Sequence, residues 1–140
     1  MTRPEELPEF DPRPTVRIHQ GMPEKDSIIT LSDSAFRLMI EMICYVGRNE
    51  TEGEVPKAIA SRMATKRTAI NELVKLGHVA DQGNEWLLVD YLRWNRSRSE
   101  IESFRASRRE SGALGAHMRW HVPRRKGDPN CDYCKAEGMA

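Results

Sequence analysis

The fold of this chain is decided by residues 65–89, which read TKRTAINELVKLGHVADQGNEWLLV. In the first part, apolar residues recur at the spacing of one helix face, and Gly77 stands where helices commonly end. These apolar residues are Ala69, Ile70, Leu73, Val74 and Leu76. The second part holds two short apolar runs around Asp81-Gln82-Gly83-Asn84, a pattern typical of a tight β-hairpin. The stretch therefore predicts a helix followed by a hairpin.

Two further helices are expected upstream of this stretch. Ser32 is a suitable N-cap for the first, which carries apolar residues on one side and is expected to end at Gly47. Pro56 suits the first position of the second, directly after the short extended piece Glu54-Val55. Thr65 can cap the third helix. Three helices closed by a hairpin form the winged-helix arrangement, a variant of the helix-turn-helix whose third helix commonly enters the major groove of DNA.

The charge of the chain is unevenly distributed. Its 22 Lys and Arg residues nearly balance 21 Asp and Glu residues, for a formal net charge of +1. Residues 1–55 nevertheless carry 11 acidic and 6 basic side chains, whereas residues 93–126 carry 10 basic and 3 acidic ones. Such a concentration of cations attracts polyanions whatever the total charge. The alternative interpretation is a solvated charged helix with a disordered basic tail.

The expected fold class is mainly α-helical with a small β-hairpin, organised in four segments. Residues 1–27 contain five prolines and predict a flexible acidic leader, and residues 28–95 form the winged-helix domain. Residues 96–116 form a basic helix, and residues 117–140 form a tail with too few apolar residues for a core. The candidate capping boxes of the basic helix are Ser97 with Glu100 and Ser99 with Glu102. No apolar run is long enough to cross a bilayer and no secretory signal is recognisable, so a cytoplasmic protein is expected.

The tail contains a potential metal site, His117, His121, Cys131 and Cys134. Histidines four residues apart share one side of a helical turn, and cysteines separated by two residues form a chelating turn, so the set can hold zinc tetrahedrally. With four protein ligands the zinc would be structural, because a catalytic zinc keeps one position open. A redox cysteine pair, a disulfide and a tail with coincidental ligands are the alternatives. Cys44, His19 and His78 are expected to have structural or solvent roles.

Two surfaces carry side chains suited to DNA. The first lies at and near the third helix and comprises Arg62, Lys66, Arg67, Thr68, Asn71 and Lys75. These side chains have the lengths and donors for phosphates or base edges, although Glu72 is expected on the same exposed face. The second is the basic helix, in which Arg105, Arg108 and Arg109 would bind phosphate without reading sequence. Because ordinary exposed helices carry similar cations, a solvated surface is the alternative.

Several motifs resemble those of a known group of proteins. They are LSDSAFRL at 31–38, GEVP at 53–56, ELVKLGHV at 72–79 and WLLVDYLRWN at 86–95, followed by the basic stretch 97–109 and the terminal His/Cys cluster. The chain thereby resembles small proteins of actinobacterial phages and prophages that are similar to the winged-helix N-terminal domain of DnaD-type replisome organisers. The resemblance implies DNA binding in phage replication initiation or in the control of phage genes. No second DnaD-like helical domain follows, so helicase loading is not implied.

The leading hypothesis is a non-enzymatic DNA-binding protein with a winged helix, an arginine-rich helix and a zinc-stapled tail. The alternative from another class is a protein-interaction adaptor that binds a host factor, such as RNA polymerase or a replication protein, through the acidic leader and an exposed helix. A zinc hydrolase or nuclease is least favoured because the chain carries no Ser/His/Asp set, no Gly-rich phosphate loop and no paired carboxylates near the histidines. Neither a membrane nor a small-molecule substrate is expected as a partner.

Overall fold

The computed structural model describes residues 9–139 of the chain. The chain divides between Asn95 and Arg96 into two compact units, at the position where sequence analysis places the start of the basic helix. It is mainly helical and contains a small three-stranded antiparallel sheet. Among the described residues, no helix is both long and apolar enough to cross a membrane.

The first unit combines short helices with the sheet. After a 3₁₀ turn at Met22–Glu24, its elements follow in the order α1 (Asp26–Ile29), α2 (Asp33–Asn49), β1 (Glu54–Pro56), α3 (Lys57–Met63), α4 (Ala69–Lys75), β2 (Val79–Asp81), β3 (Glu85–Leu88) and α5 (Tyr91–Trp94). The three helices expected from the sequence correspond to α2, α3 and α4. The short helices α1 and α5 were not predicted, because four residues are too few to show a periodic pattern.

Helix α2 begins where the sequence predicts and ends later. The Ser32 hydroxyl accepts a hydrogen bond from the Ala35 N–H, which confirms Ser32 as the N-cap. The predicted end at Gly47 is wrong, since the helix continues to Asn49 and Glu50 adopts the left-handed conformation with φ of 53°. Gly47 is instead needed for packing, because a Cβ at this position would overlap the Val16 side chain.

Helix α4 is shorter than predicted. It begins at Ala69, not just after Thr65, and residues 65–68 form a turn. Its end is as expected: Gly77 has φ of 80°, and the N–H groups of Gly77 and His78 donate to the carbonyls of Val74 and Leu73. These two hydrogen bonds end the helix and satisfy carbonyl groups that would otherwise have no partner at its C-terminus.

The sheet has three strands instead of the two of a hairpin. Strands β2 and β3 form the predicted hairpin, and β1 pairs antiparallel with the other edge of β3, so that the order is β1-β3-β2. Val55 of β1 lies opposite Trp86 and is fully buried. The short extended piece expected at Glu54-Val55 is therefore a sheet strand, and burial of Val55 anchors it.

The core of the first unit lies between α2, α4 and the sheet. Helix α2 contributes Leu38, Met42 and Val46, each with at most 1% of its surface exposed. Ala35 and Met39 of α2 are also buried. The other elements contribute Ile28, Val55, Ala60, Ala69, Leu73, Val79 and Leu88. All members of this core lie between residues 28 and 88, so the first unit has a hydrophobic core of its own.

Part of the predicted leader has defined contacts with the first unit. The Arg17 N–H donates to the Asn95 side chain at 2.8 Å, and the Asn95 amide donates to the Arg17 carbonyl at 3.1 Å. The His19 ring lies against Trp94, with 4.7 Å between the ring centres. The flexible leader was predicted for residues 1–27, of which residues 1–8 lie outside the described part of the chain.

The second unit contains one long helix and a compact turn. Its elements are α6 (Arg98–Ala116), a π-helical turn (His117–His121) and α7 (Asp132–Ala136). The capping box at Ser97 and Glu100 is confirmed, because each side chain accepts a hydrogen bond from the other residue's N–H. No residue of α6 is buried. The helix is therefore solvated along its whole length.

Candidate metal centre and nucleic-acid surface

The structure brings the four predicted metal ligands together. The π-helical turn carries His117 and His121, and the chain then reverses so that Cys131 and Cys134, at the start of α7, return to the same place. One ligand atom of each side chain lies within 4.8 Å of the others. The Val122 N–H donates to the His117 carbonyl five residues earlier, which is the bond of a π-helix. Such turns are frequent at functional sites.

Three distances within this cluster are close to those of a tetrahedral metal site. The Cys134 sulfur lies 3.3 Å from His117 Nδ1 and 3.2 Å from His121 Nδ1, and the Cys131 sulfur lies 3.6 Å from His117 Nδ1. In a tetrahedral zinc site with usual bond lengths, neighbouring ligand atoms are separated by about 3.3–3.8 Å. Both cysteines are free thiols. The arrangement is therefore compatible with metal binding.

Two acidic side chains lie near the Nε2 atoms of the histidines, on the side of each ring away from the cysteine sulfurs. His117 is fully buried and its Nε2 lies 2.9 Å from a carboxylate oxygen of Glu137. His121 Nε2 lies 3.9 Å from the Asp128 carboxylate. A carboxylate that accepts the N–H of a ligand histidine fixes its tautomer, so that the other nitrogen faces the metal. Sequence reasoning missed both acids, because only the fold brings them next to the histidines.

The environments of the two thiols differ. A hydrogen bond from the Cys134 backbone N–H lowers the pKa of Cys131 to about 7. Burial raises the pKa of Cys134. Burial also opposes a charge on His117, but its hydrogen bonds with Glu137 and Cys131 outweigh this and raise the pKa of His117. Because each ligand must lose its proton before it binds a metal, these pKa shifts make metal binding depend on pH.

The two cysteines differ in how well they suit the alternative of a redox pair. Cys131 is partly exposed and its pKa is lowered to about 7, as in a reactive cysteine, whereas the Cys134 side chain is completely buried. Both cysteine sulfurs also lie against histidine nitrogens. With two sulfurs and two nitrogens, protein atoms would fill every corner of a tetrahedron, and no corner would remain for a reacting water.

The structure exposes every residue predicted to contact DNA from the first unit. Arg62 lies in the last turn of α3, while Asn71 and Lys75 lie on α4. The other three, Lys66, Arg67 and Thr68, lie in the turn before α4 and not within the helix, since α4 begins only at Ala69. Arg67 therefore lies in the turn and Asn71 in the first half of the short helix α4.

The Glu72 side chain is held by the start of α2. The Ser32 N–H donates to one carboxylate oxygen of Glu72 at 2.9 Å, and the Ser32 hydroxyl donates to the other at 2.6 Å. These bonds lower the pKa of Glu72. The positive end of the α2 dipole also favours a carboxylate there. To the sequence-based expectation for Glu72 the structure adds that its carboxylate is bound by Ser32, and the charge of Lys66 also lowers the pKa of Glu72.

The hairpin has a different electrostatic character from α4. Asp81 accepts a 2.7 Å hydrogen bond from Lys57, which also lies 4.4 Å from the centre of the Trp86 ring. A shared hydrogen bond with Glu85 raises the pKa of Glu54. The residues from Asp81 to Glu85 contain no cation. The hairpin thus presents acidic groups and has no basic side chain with which to bind phosphate.

The three arginines predicted on the basic helix are exposed. Arg105, Arg108 and Arg109 lie on α6, and the guanidinium carbon of Arg108 is 5.9 Å from the centre of the Phe104 ring. The remaining histidines have structural contacts, His19 with Trp94 and His78 with the Ser27 carbonyl at 2.9 Å.

Protein-family models, curated proteins and solved structures were all compared with the chain, and none of them matches it.

Proposed function

We propose that this chain is a non-enzymatic DNA-binding protein. Residues 28–95 would dock on duplex DNA as a winged helix, and α6 would add sequence-independent attraction to phosphates. The His/Cys cluster would hold a structural zinc ion that orders the tail. The roles implied for such a protein are phage replication initiation or transcriptional regulation, in the cytoplasm of a bacterial host.

The topology of the first unit supports a winged helix. The order α2, β1, α3, α4, β2, β3 places two short helices on either side of a turn and ends with a hairpin. The first strand pairs with β3 and not with β2. In a helix-turn-helix the second helix of the pair is the one inserted into the major groove. By this comparison α4 would be the recognition helix.

The observation that carries the proposal is the charge of the surface formed by α3, the turn and α4. Between Lys57 and Ala80 the only acidic residue is Glu72, and Ser32 holds its carboxylate. The exposed polar side chains there are cationic or are hydrogen-bond donors, and they include Arg62, Lys66, Arg67, Thr68, Asn71 and Lys75. The apolar side chains of Val74 and Leu76 are exposed in the same segment. A surface of this kind suits phosphates and the acceptor-rich edges of bases.

The acidic hairpin limits where DNA can bind on the first unit. Carboxylates at Asp81 and Glu85 would be repelled by phosphates, so the hairpin is not assigned a groove contact. Helix α6 would compensate with Arg105, Arg108 and Arg109, which are exposed along a helix without buried residues. The proposed contacts therefore come from α4 with its preceding turn and from α6.

The salt dependence of duplex binding tests this proposal. The full chain should bind a duplex with an affinity that falls steeply with salt, because each phosphate contact contributes about −0.9 to the slope of log K against log [salt]. Replacement of Arg105, Arg108 and Arg109 by Ala should reduce the slope by about 2 to 3 while any sequence preference remains. The variant with Lys66→Ala and Arg67→Ala should lose that preference.

The matched control is Arg48→Ala, which removes an exposed cation from the last turn of α2. It should leave affinity and slope unchanged, because Arg48 lies outside both proposed surfaces. A slope near zero, or no duplex affinity at low salt, would overturn the proposal. Stable capture of a replication protein or RNA polymerase that is indifferent to Lys66→Ala and Arg67→Ala would favour the protein-interaction adaptor instead.

A further inference from the structure

The segment just beyond α6 has a composition that neither the metal centre nor the duplex-binding surfaces explain. From Ser111 to Gly127 the chain contains no acidic residue. Four cations are concentrated at its end, Arg119, Arg124, Arg125 and Lys126. All four side chains are exposed. The segment therefore has a strongly positive local field, although none of these cations is a metal ligand.

A tryptophan lies among these cations. Trp120 is 49% exposed, more than either of the other two tryptophans, Trp86 and Trp94. It lies in the π-helical turn, one residue before the candidate ligand His121. Exposure of so large an aromatic side chain to water carries a cost in free energy. His117 and His121, which flank Trp120 in the sequence, both belong to the His/Cys cluster, so the backbone on both sides of Trp120 is part of the candidate metal site.

One of these basic side chains contacts the ring. The guanidinium carbon of Arg124 lies 4.7 Å from the centre of the Trp120 ring, within the distance of a cation–π contact. Arg125 has φ of 50°, a left-handed conformation that non-glycine residues rarely adopt. A glycine would fit that backbone without strain. The presence of an arginine there is explained if its side chain has a role on this surface.

We propose that Arg119–Lys126, supported by the His/Cys cluster, binds single-stranded DNA. Trp120 would stack on an unpaired base, and the four cations would contact the flanking phosphates. Aromatic rings and guanidinium planes are the surfaces on which unpaired bases stack, and a groove of cations follows the backbone between them. In a duplex each base is already paired and is stacked on its neighbours, so the Trp120 ring would gain no stacking contact there. This site is separate from the duplex-binding surface proposed for α4.

Binding of the metal-loaded full chain to a twelve-nucleotide oligo(dT) tests the inference. The Trp120→Leu variant keeps an apolar side chain but removes the ring, and its affinity should fall about tenfold, as expected for loss of a base stacking contact. Trp120→Tyr should remain within about threefold of the original affinity, since a phenol ring also stacks. An oligonucleotide of equal charge with abasic sites should bind the original chain about tenfold more weakly than oligo(dT).

The controls separate stacking from folding and from charge. Trp94→Leu removes a partly exposed tryptophan in the first unit and should leave oligo(dT) affinity unchanged. Metal content, measured on every variant, should equal that of the original chain. Equal affinities of the original chain and Trp120→Leu for oligo(dT) would overturn the inference, as would equal binding of the abasic oligonucleotide. At least tenfold tighter binding of oligo(U) would overturn the assignment to DNA. The variant with Lys66→Ala and Arg67→Ala, which should lose its preference for a duplex sequence, should bind oligo(dT) with the affinity of the original chain.

Discussion

At the scale of single residues, a few polar side chains connect distant parts of the sequence. Ser32 caps α2 and also binds Glu72, forty residues later. Asn95 binds the backbone of Arg17 in the opposite direction along the chain. Glu137 accepts a hydrogen bond from the buried His117. Of the donors bound in this way, the ring nitrogen of His117 is buried, so loss of its partner would cost the most free energy.

Replacement of Ser32 by Ala should destabilise the first unit by about 1 kcal/mol, the usual cost of losing an N-cap. The loss in free energy of unfolding is measured as a lower denaturant concentration at the unfolding midpoint, with an unchanged dependence of that free energy on denaturant. The control is Ser61→Ala, since the Ser61 hydroxyl only bonds the Lys57 carbonyl within α3. That variant should unfold at or slightly above the original midpoint, because Ala is the better helix former. Equal midpoints for Ser32→Ala and the original chain would contradict the assignment.

The exchange Glu137→Gln should weaken metal binding by about tenfold, because it removes the charge that polarises His117. Competition with a chromophoric chelator measures the affinity. The control Asp132→Asn removes a nearby carboxylate whose side chain is 93% exposed and lies 3.4 Å from Lys135. It should leave the affinity unchanged. Similar losses in both variants would indicate a general electrostatic effect in place of a specific contact with His117.

Metal affinity should increase with pH. In the ordered cluster, hydrogen bonds with Glu137 and Cys131 raise the pKa of His117, and a proton held there must leave before the nitrogen can bind metal. Cys131, with a pKa of about 7, must also lose a proton when the pH lies below that value. The number of protons released per metal ion should therefore increase as the pH falls through about 7. Calorimetry in buffers of different ionisation enthalpy counts these protons, and a constant count would contradict the ligand assignment.

At the scale of elements, the two units are stabilised differently. Helix α2 is amphipathic and packs a buried row of side chains, whereas α6 buries none of its residues. In the described part of the second unit, only His117 and Cys134 are buried. A segment with so little buried apolar surface cannot offset the entropy of ordering its chain. The cluster of ligands is the remaining feature that can supply the required free energy.

Removal of metal by a chelator should therefore disorder the tail and leave the first unit folded. Hydrogen exchange should become fast in residues 117–139, whereas α2 and α4 should retain their protection because their core involves no cluster residue. Addition of zinc should restore the protection of the tail. The Cys134→Ser variant should behave like the chelated chain without any chelator. Unchanged exchange in the tail after metal removal would show that the ion is not structural.

At the scale of the whole molecule, folding and charge are distributed differently along the chain. The hydrophobic core lies entirely between residues 28 and 88. The excess of basic residues lies between residues 93 and 126, largely beyond that core. The near-neutral total charge therefore conceals a compact unit with its own core and a solvated basic segment. This distribution is what makes separate roles for the two units testable.

A chain that ends at Arg96 should fold cooperatively, since it retains every core residue. Its duplex affinity should be lower and its salt slope smaller than those of the full chain, because it lacks Arg105, Arg108 and Arg109. Any sequence preference should remain if α4 reads the groove. Footprinting of both chains on the same DNA gives the comparison. Loss of all duplex affinity would instead assign binding to the basic helix and the tail.

The sequence by itself determined the features that depend on neighbouring residues. Ser32 as an N-cap, the Ser97–Glu100 capping box, Gly77 at a helix end and the hairpin all follow from local backbone chemistry. The His/Cys set was also readable, since its spacing suffices for chelation. Helix ends were less predictable: α2 continues past Gly47 to Asn49, and the glycine instead leaves room for Val16, thirty-one residues away in the chain.

Only the tertiary structure decided which groups from distant segments meet. The pairing of β1 with β3, the capture of Glu72 by Ser32 and the contact of Glu137 with His117 each join residues that no local pattern relates. A single sequence contains residue types and spacings, but the direction of a side chain depends on the packing around it. The sequence therefore determined which residues could bind a metal, and the fold determined that they converge.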